Sequence, residues 1–305
     1  MKILNWLRPG IGRLRIYAPR PVAYDDLLPR GKSDTSSLPR ITIVVPSYNQ
    51  GRFIGATLES IVSQKYPNLE LIVVDGGSTD DTISVIKRFE PHLSWWVSER
   101  DSGQAAAINK GFQRSSGDIM AWINSDDLIA PGALAQVVTH LKDWSAPQVV
   151  YGNRIVIDEE GLEVGRWVLP YHSSQILRWV DFVPQETMYW TRSAWELAGS
   201  EIDESLGFAI DWEFLLRLSH RGTRFVHLPY FTGLFRVHGD QKTSSQISSK
   251  GWEEMGRLRL QELGRVPHQW EILGRISPFL LAARCLEIKL ALIGIAAGKG
   301  RLRIS

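Results

Sequence analysis

Four apolar segments that alternate with helical patterns constrain the fold of this chain more than any other feature. The segments are residues 41–45, 69–74, 93–97 and 119–123. Between them, apolar residues recur every three or four positions, as they do along one face of a helix. Strands that are apolar throughout and separated by single helices form a parallel sheet with helices on both faces. The sequence therefore predicts an α/β fold with a mostly parallel sheet.

The pattern is less regular in the second half of the chain. Residues 149–151 and 154–157 have the apolar composition of strands. Ser193 and Glu196 have the spacing of a capping box, which predicts that a helix starts at Ser193. A longer helix is predicted over about residues 211–221. We therefore expect a mixed arrangement of strands and helices in this half.

The composition is that of an ordinary globular protein of 305 residues, with a formal net charge of +2. This balance is too mild to indicate nucleic-acid binding. The single cysteine, Cys285, excludes an internal disulfide and a cysteine-based zinc site within one chain. Residues 1–8 lack the apolar core of a signal peptide. We therefore expect a cytoplasmic protein, and its oligomeric state is left open.

The chain divides into three predicted regions: an extension over residues 1–39, a main domain over 40–245 and a helical region over 246–305. Within the last region, residues 278–297 are rich in leucine, isoleucine and alanine, but charged residues interrupt them. A spanning helix needs about 20 residues nearly free of charge, so this stretch is not expected to cross a membrane. Two alternatives remain: an amphipathic helix on an anionic membrane surface, at which the protein would be peripheral, and a helix packed on the domain.

Polar residues follow each of the four predicted strands. These strand ends are residues 46–49, 75–78, 98–101 and 124–127. In open parallel sheets, ligands bind beyond the carboxyl ends of the strands. Asp126 and Asp127 directly follow an apolar strand, and paired carboxylates there suit a hard divalent cation that neutralises a leaving diphosphate. Taken alone, such a pair is also typical of a solvated turn or a helix cap.

In their order along the chain, these strand ends resemble the motifs of glycosyltransferase family 2 enzymes of GT-A fold, especially bacterial enzymes that build surface polysaccharides of the cell envelope such as O-antigen. The resemblance extends over about residues 41–244. The motifs lie at residues 45–49, 74–80, 98–104, 109–111, 124–127 and 211–213. It implies a Rossmann-like, mostly parallel sheet flanked by helices, with a nucleotide-binding half over residues 40–130 and an acceptor half over residues 131–245.

The resemblance implies a donor site at the strand ends. The implied donor-binding residues are Pro46, Ser47, Tyr48, Asn49, Asp75, Arg100, Asn109, Lys110, Asn124 and Ser125. Tyr48 offers an aromatic face to a nucleobase, although a partly buried tyrosine that supports the turn is an equal alternative. Asp75 suits a base N–H or a ribose hydroxyl, or it stabilises its own turn. Asn124 replaces an aspartate that many relatives carry, so this position supplies no charge to a metal.

The resemblance also implies a metal site, a general base and an acceptor site. The implied ligands of Mn²⁺ or Mg²⁺ are Asp126, Asp127 and His238, and Arg236 and Lys242 are expected to close over phosphate. Asp211 is the implied general base, which removes the proton of the acceptor hydroxyl as it attacks the anomeric carbon. A helix N-cap is the alternative for this aspartate. The implied acceptor-side residues are Gln185, Glu186, Trp212 and Glu213.

The sequence therefore predicts an inverting, metal-dependent glycosyltransferase. Its donor would be a nucleotide diphosphate sugar, with UDP favoured by the resemblance, and its acceptor a saccharide or a lipid-linked saccharide. Two alternatives stay open: a catalytically degenerate scaffold of a polysaccharide assembly complex, and a nucleotidyltransferase. A dinucleotide-binding oxidoreductase and a P-loop NTPase are disfavoured because the chain lacks their glycine motifs.

Overall fold

The computed structural model describes residues 17–23, 38–141, 143–239 and 250–296, with side chains up to Leu290. The strands are β1 (Ile41–Ser47), β2 (Leu69–Asp75), β3 (Trp95–Ser98), β4 (Ile119–Trp122), β5 (Leu128–Ile129), β6 (Gln148–Ile157), β7 (Glu163–Trp167), β8 (Tyr189–Thr191) and β9 (Arg224–Arg236). The helices are α1 (Ile54–Val62), α2 (Thr82–Phe89), α3 (Gln104–Gln113), α4 (Ala133–His140), α5 (Ser174–Leu177), α6 (Arg192–Leu197), α7 (Ile210–His220), α8 (Trp252–Leu263) and α9 (Gln269–Ala296). Short 3-10 helices lie at Glu90–His92 and Gln185–Thr187.

Within the described residues, nine strands form one sheet in the order β3-β2-β1-β4-β8-β6-β9-β5, and β7 pairs with β6. Strands β1 to β4 are parallel to one another. Strand β8 is antiparallel to both β4 and β6, whereas β6 and β9 are parallel. The predicted α/β fold, with a parallel first half and a mixed second half, is confirmed.

The strand register places the polar strand ends side by side. Ser47 at the end of β1 lies opposite Asp75 at the end of β2, and Asp75 lies opposite Ser98 at the end of β3. On the other side of β1, β4 ends with Trp122 opposite Val44. Residues that follow these four strands therefore converge at one edge of the sheet, as the sequence predicts.

Local boundaries differ from the predictions in the second half of the chain. The predicted strands 149–151 and 154–157 belong to the single strand β6. Helix α6 begins at Arg192, and its cap is Thr191, whose hydroxyl accepts a backbone hydrogen bond, rather than Ser193. The capping-box prediction is therefore wrong, because a threonine two residues earlier has the same capping chemistry.

Apolar side chains are buried on both faces of the sheet. On one face, Ile43 and its neighbours pack against α1, α2 and α4. On the other face, Val44 and its neighbours pack against α3, α6 and α7, and α8 and α9 extend this core. Successive residues of a strand therefore point to opposite faces of the sheet and are buried in different cores. This is why the strands are apolar throughout.

Helix α3 approaches β1 so closely that only glycine fits at position 111. A Cβ atom on Gly111 would lie 2.4 Å from Cγ1 of Val44. We expect Gly111→Ala to lower the free energy of unfolding by about 1–3 kcal/mol, because overpacking forces the helix away from the sheet. Gly256→Ala in α8 is the matched control, since a Cβ at Gly256 meets no atom within 4 Å. Urea unfolding checks both, and an unchanged midpoint for Gly111→Ala would contradict this packing.

The two ends of the described chain pack differently. Arg20, from the predicted N-terminal extension, forms a β-bridge with Glu163 and an ion pair of 2.5 Å with the same residue. At the other end, α9 packs Ile272, Ile276 and Phe279 into the core. In the part of the chain that is described, no helix combines the length and low charge that crossing a bilayer requires. The division into three regions remains a prediction.

Candidate active site

Asp75 organises the loops at the ends of β1, β2 and β3. Its carboxylate accepts hydrogen bonds from the backbone N–H groups of Gly77 (3.1 Å) and Ser78 (2.8 Å) and from the hydroxyl of Ser98 (2.6 Å). The hydroxyl of Ser78 donates to it as well. Asp75 is completely buried. Of the two roles considered for this residue, turn stabilisation is therefore the one that its contacts serve.

Tyr48 and Asn49 directly follow β1 and are exposed at the same edge of the sheet. Asn49 adopts a left-handed backbone conformation (φ 50°), and its Oδ1 accepts a hydrogen bond of 2.9 Å from the N–H of Thr79. The ring of Tyr48 is 61% exposed. The buried alternative for this tyrosine is therefore wrong, and its face is free to stack on a planar ligand.

Three predicted donor-binding residues mainly hold the protein together in this structure. Asn109 donates to the carbonyl of Ile202 (2.9 Å) and accepts from the N–H of the same residue (2.8 Å). Lys110 forms an ion pair of 2.6 Å with Glu99. The side chain of Ser125 is buried, and its carbonyl accepts from Thr57. Arg100, Pro46 and Ser47 line the strand ends, where Arg100 is exposed and the other two are buried.

The adjacent carboxylates Asp126 and Asp127 point in different directions. Asp126 lies 3.0 Å from Nε2 of His238, and 16% of its side chain is exposed. Asp127 is buried, and its Oδ1 accepts a hydrogen bond of 3.0 Å from the N–H of Arg236. Burial, followed by the neighbouring charges of Asp126 and Glu186, raises the pKa of Asp127 well above its usual range. The two carboxylates therefore cannot act as an equivalent pair.

Two of the three predicted metal ligands, Asp126 and His238, lie together in this structure. Among the described residues, no three His, Cys, Asp or Glu side chains are arranged to bind one metal ion. Asp126 and His238 lie together, whereas Asp127 faces inward to Arg236. Asp127 as a ligand therefore stays a prediction, and in this structure its Oδ1 bonds to the protein backbone.

Arg236 binds the loop that carries Asp126 and Asp127, the acidic loop, rather than lying open to a phosphate. Its Nε donates to the carbonyl of Asp126, and its Nη1 donates to the carbonyls of Asp158 and Glu159, each at 3.0 Å. Only 3% of Arg236 is exposed. Its phosphate role, expected on donor binding, therefore stays a prediction, and Lys242 lies outside the described residues.

Asn124 connects the acidic loop to helix α3. Its Oδ1 accepts a hydrogen bond of 2.7 Å from Nε2 of Gln104, the first residue of α3. Its amide nitrogen lies 3.4 Å from Oδ2 of Asp127. An open cleft of about 210 Å³ lies beside Gln104 and extends to Ile210, the first residue of α7.

A buried ion pair lies at the centre of the site. Arg154 binds Glu186 through two hydrogen bonds, from Nε to Oε1 (2.7 Å) and from Nη2 to Oε2 (2.5 Å). Glu186 is completely buried. The positive charge of Arg154 lowers the pKa of Asp127, Asp181 and Asp211, against the larger effect of burial. Arg154 therefore interacts electrostatically with the acidic loop and with the start of α7.

Asp211 is the second residue of α7 and not its N-cap, which is Ala209. Its Oδ1 accepts a hydrogen bond of 2.9 Å from the N–H of Trp212. Burial raises the pKa of Asp211 to about 6. A carboxyl with this pKa is close to the value that favours general base catalysis near neutral pH.

Asp181 is a site residue that the sequence analysis missed. Burial and then the charge of Asp211 raise the pKa of Asp181 well above its usual range. Its Oδ1 is shielded from solvent and has no hydrogen-bond partner among the described residues. The signal in the sequence was a single acid among the otherwise apolar residues 179–183, which is unusual unless the acid has a partner. The charges of Asp181 and Asp211 therefore interact within the site.

Helix α8 supports the loop that carries Asp211. The carboxylate of Glu254 accepts hydrogen bonds from the backbone N–H groups of Gly207 (2.8 Å), Phe208 (2.8 Å) and Ala209 (2.9 Å). Glu254 is 4% exposed. The start of α7 therefore receives its cap from a residue more than 40 positions away, which no local pattern indicates.

The predicted acceptor-side residues are largely internal. Trp212 is completely buried and donates to the carbonyl of Leu177. Gln185 is buried and donates to the carbonyl of Trp122. Glu213 is bound to Arg217 by two hydrogen bonds. With Glu186 held by Arg154, all four side chains have partners within the protein, and direct contact with the acceptor stays a prediction.

The chain is similar to known proteins over much of its length. Residues 42–210, more than half of the chain, match the model of the family described as "Glycosyl transferase family 2". An uncharacterised glycosyltransferase of Mycobacterium tuberculosis is 30% identical over 188 residues, which cover 60% of this chain and 70% of that protein. Chondroitin synthase of Pasteurella multocida is 27% identical over 75% of this chain but only 24% of its own length.

Solved structures share the fold. TarS of S. aureus in complex with UDP-GlcNAc has a TM-score of 0.61 at 19% identity and covers 80% of this chain and 72% of its own. The mannosyltransferase PcManGT of Pyrobaculum calidifontis, in complex with GDP-Man and Mn²⁺, has a TM-score of 0.55 at 21% identity over 99% of this chain and 82% of its own. The fold is thus GT-A, as the sequence predicts. Since the family model spans over half of the chain and the fold agrees, this protein is a glycosyltransferase and belongs to glycosyl transferase family 2.

Proposed function

We propose that this enzyme moves one sugar, with inversion, from a nucleotide diphosphate sugar to a hydroxyl of a saccharide or lipid-linked saccharide during polysaccharide synthesis. One observation carries the proposal: Arg154 and Glu186 interact electrostatically both with Asp127 of the acidic loop and with Asp211. Asp127, which adjoins the proposed metal ligand Asp126, and the proposed base Asp211 therefore belong to one charge network. The names of relatives that build chondroitin and hyaluronan support a polysaccharide product, for which O-antigen is one candidate.

The strand-end loops are proposed to hold the nucleotide. The exposed ring of Tyr48 would stack on the base, and Asn49 and Asp75 would keep the two loops in register. Exposed Arg100 supplies positive charge beside them. UDP is the favoured nucleotide, supported by the UDP-GlcNAc complex of TarS, with GDP as the alternative from the GDP-Man complex of PcManGT.

A divalent cation, Mn²⁺ or Mg²⁺, is proposed as cofactor, with Asp126 and His238 as its protein ligands. Their Oδ2 and Nε2 atoms are 3.0 Å apart, close to the spacing of adjacent ligands on an octahedral ion with bonds of about 2.1 Å. The side chain of Asp126 is 16% exposed, which leaves it accessible from solvent. Once bound, such a cation neutralises charge on the leaving diphosphate. The Mn²⁺ complex of PcManGT supports this assignment.

Asp211 is the proposed base. With a pKa of about 6, roughly nine in ten Asp211 carboxyls are ionised at pH 7, whereas burial and the charge of Asp211 raise the pKa of Asp181 well above its usual range. Asp211 accepts the proton of the acceptor hydroxyl, the hydroxyl oxygen bonds to the anomeric carbon, and the bond from that carbon to the diphosphate breaks. Attack from the side opposite the leaving group inverts the anomeric configuration.

The purified protein should be tested with a panel of UDP, GDP and dTDP sugars and MnCl₂, by measuring nucleoside diphosphate release. A transferase releases nucleoside diphosphate and forms a glycoside. A nucleotidyltransferase instead releases pyrophosphate from a nucleoside triphosphate, and a scaffold does neither. Release of pyrophosphate, or no turnover with any donor and any saccharide acceptor, would overturn the proposal.

Metal binding can be tested independently of turnover. We expect Asp126→Asn to weaken Mn²⁺ binding by about 100-fold, because it removes the charged ligand of a two-residue site. Asp143→Asn is the control, since Asp143 is exposed and lies outside the site. The electron paramagnetic resonance signal of free Mn²⁺ measures both affinities. Equal affinities in the two variants would remove Asp126 from the metal site.

A further inference from the structure

Helix α9 exposes an unbroken apolar ridge to solvent. The outer ridge consists of Trp270, Gly274, Pro278, Leu281, Cys285 and Ile288. These positions are spaced by three or four residues, so they lie along one side of the helix over about 27 Å. All six are exposed and none is charged, and the exposed fractions of Trp270 and Leu281 are 70% and 57%. A surface helix normally carries polar residues on its outward side.

The inward side of α9 is already occupied. Ile272, Ile276 and Phe279 are buried in the core, and Phe279 packs edge-on against Tyr171. The outer ridge is therefore not needed to attach the helix to the domain. An exposed apolar surface of this length marks a site of interaction with a protein or a membrane.

Charges beside the outer ridge distinguish between these partners. The carboxylates on α9 are engaged within the chain, Glu271 with Arg265 and Glu287 with Arg284. Arg275 and Lys289 are exposed beside the ridge, and among the described residues neither forms an ion pair. No acidic residue follows Glu287 in the sequence, whereas three further basic residues do: Lys299, Arg301 and Arg303.

We propose that the outer ridge of α9 lies on the surface of an anionic lipid bilayer. The apolar side chains would enter the boundary between headgroups and acyl chains, and Arg275 and Lys289 would meet lipid phosphates. A second copy of the chain fits less well, because the carboxylates of its own α9 are already paired. This membrane contact does not depend on the proposed transfer reaction.

The single cysteine permits a direct test, because Cys285 is exposed on the outer ridge. The full chain is labelled there with the environment-sensitive dye NBD and mixed with vesicles of phosphatidylcholine, alone or with 30% phosphatidylglycerol. We expect the emission of the dye to shift to the blue and intensify only with the anionic vesicles. The control carries Cys285→Ser and Ser84→Cys, which moves the label to an exposed position on α2 and should leave the emission unchanged.

Vesicle sedimentation of unlabelled protein gives a second readout. Leu281→Ser with Ile288→Ser, and separately Arg275→Gln with Lys289→Gln, should each lower the partition coefficient about tenfold or more. The controls are Leu197→Ser and Lys87→Gln with Arg88→Gln, which change exposed residues of α6 and α2. Salt should weaken binding of the wild-type chain.

Three outcomes would overturn the proposal. The first is failure to bind anionic vesicles. The second is binding that persists in the Leu281→Ser, Ile288→Ser variant without a shift of the Cys285 label, which would assign the contact to another segment. The third is a dimer, seen by analytical ultracentrifugation, that this variant dissolves, which would identify a second copy as the partner. None of these readouts uses sugar transfer, so a failure here is separate from a failure of the proposed function.

Discussion

Asp211→Asn should lower kcat about 10³-fold while leaving the dissociation constant of the nucleotide sugar unchanged. The variant keeps the shape of the side chain and its bond to the N–H of Trp212, but it can no longer accept the acceptor proton. A general base typically contributes about 10²–10⁴ in rate, so the expected loss corresponds to about 4 kcal/mol of transition-state stabilisation. Single-turnover transfer and equilibrium donor binding measure the two quantities separately.

The neighbouring carboxyl supplies the matched control. Asp181→Asn makes the same chemical change, but burial and the charge of Asp211 raise the pKa of Asp181 and so favour its neutral form, which an amide imitates. We expect this variant to lose less than about tenfold in kcat. The wild-type rate should fall with pH on the acid side of about 6, as Asp211 becomes protonated. If Asp181→Asn were the inactive variant and Asp211→Asn the active one, the assignment of the base would be reversed.

Arg154→Met should destabilise the protein by about 3–5 kcal/mol, because it leaves Glu186 buried without its partner. It also removes the cation that lowers the pKa of Asp127, Asp181 and Asp211. In the fraction that folds, the acid limb of the rate profile should move to higher pH, since the pKa of Asp211 rises. Urea unfolding and the pH profile check the two effects.

Glu186→Gln breaks the same ion pair from the other side and should behave differently. Arg154 keeps three other carboxyls nearby, so we expect a smaller loss of stability, about 1–2 kcal/mol. The charge of Glu186 raises the pKa of Asp211, so its removal should move the acid limb to lower pH. Shifts in the same direction for both variants would show that the pair does not set the pKa of Asp211.

The strand ends could be predicted from the sequence because their signals are local. Apolar periodicity located the four parallel strands, and the parallel register then brings Ser47, Asp75 and Ser98 together whatever lies elsewhere in the chain. The same reasoning placed Asp126 and Tyr48 at this edge. In these cases, the order of elements along the chain is enough to determine which residues meet.

The centre of the site could not be predicted in the same way. Arg154 and Glu186 meet across the mixed half of the sheet, and Glu254 reaches the start of α7 from another helix. Such contacts depend on tertiary packing and leave no periodic signal. Trp212 is the converse case. Its position in a motif suggested an acceptor contact, whereas the amphipathic pattern of α7 places its side chain in the core.

The most direct test of the account is a crystal structure of the Asp211→Asn variant with a nucleotide sugar and Mn²⁺. The account predicts that the cation contacts Asp126 and His238, and that the anomeric carbon of the sugar lies between the diphosphate and residue 211. A cation bound away from Asp126, or a residue 211 on the far side of the sheet from the sugar, would contradict the claim that these two aspartates act on one donor.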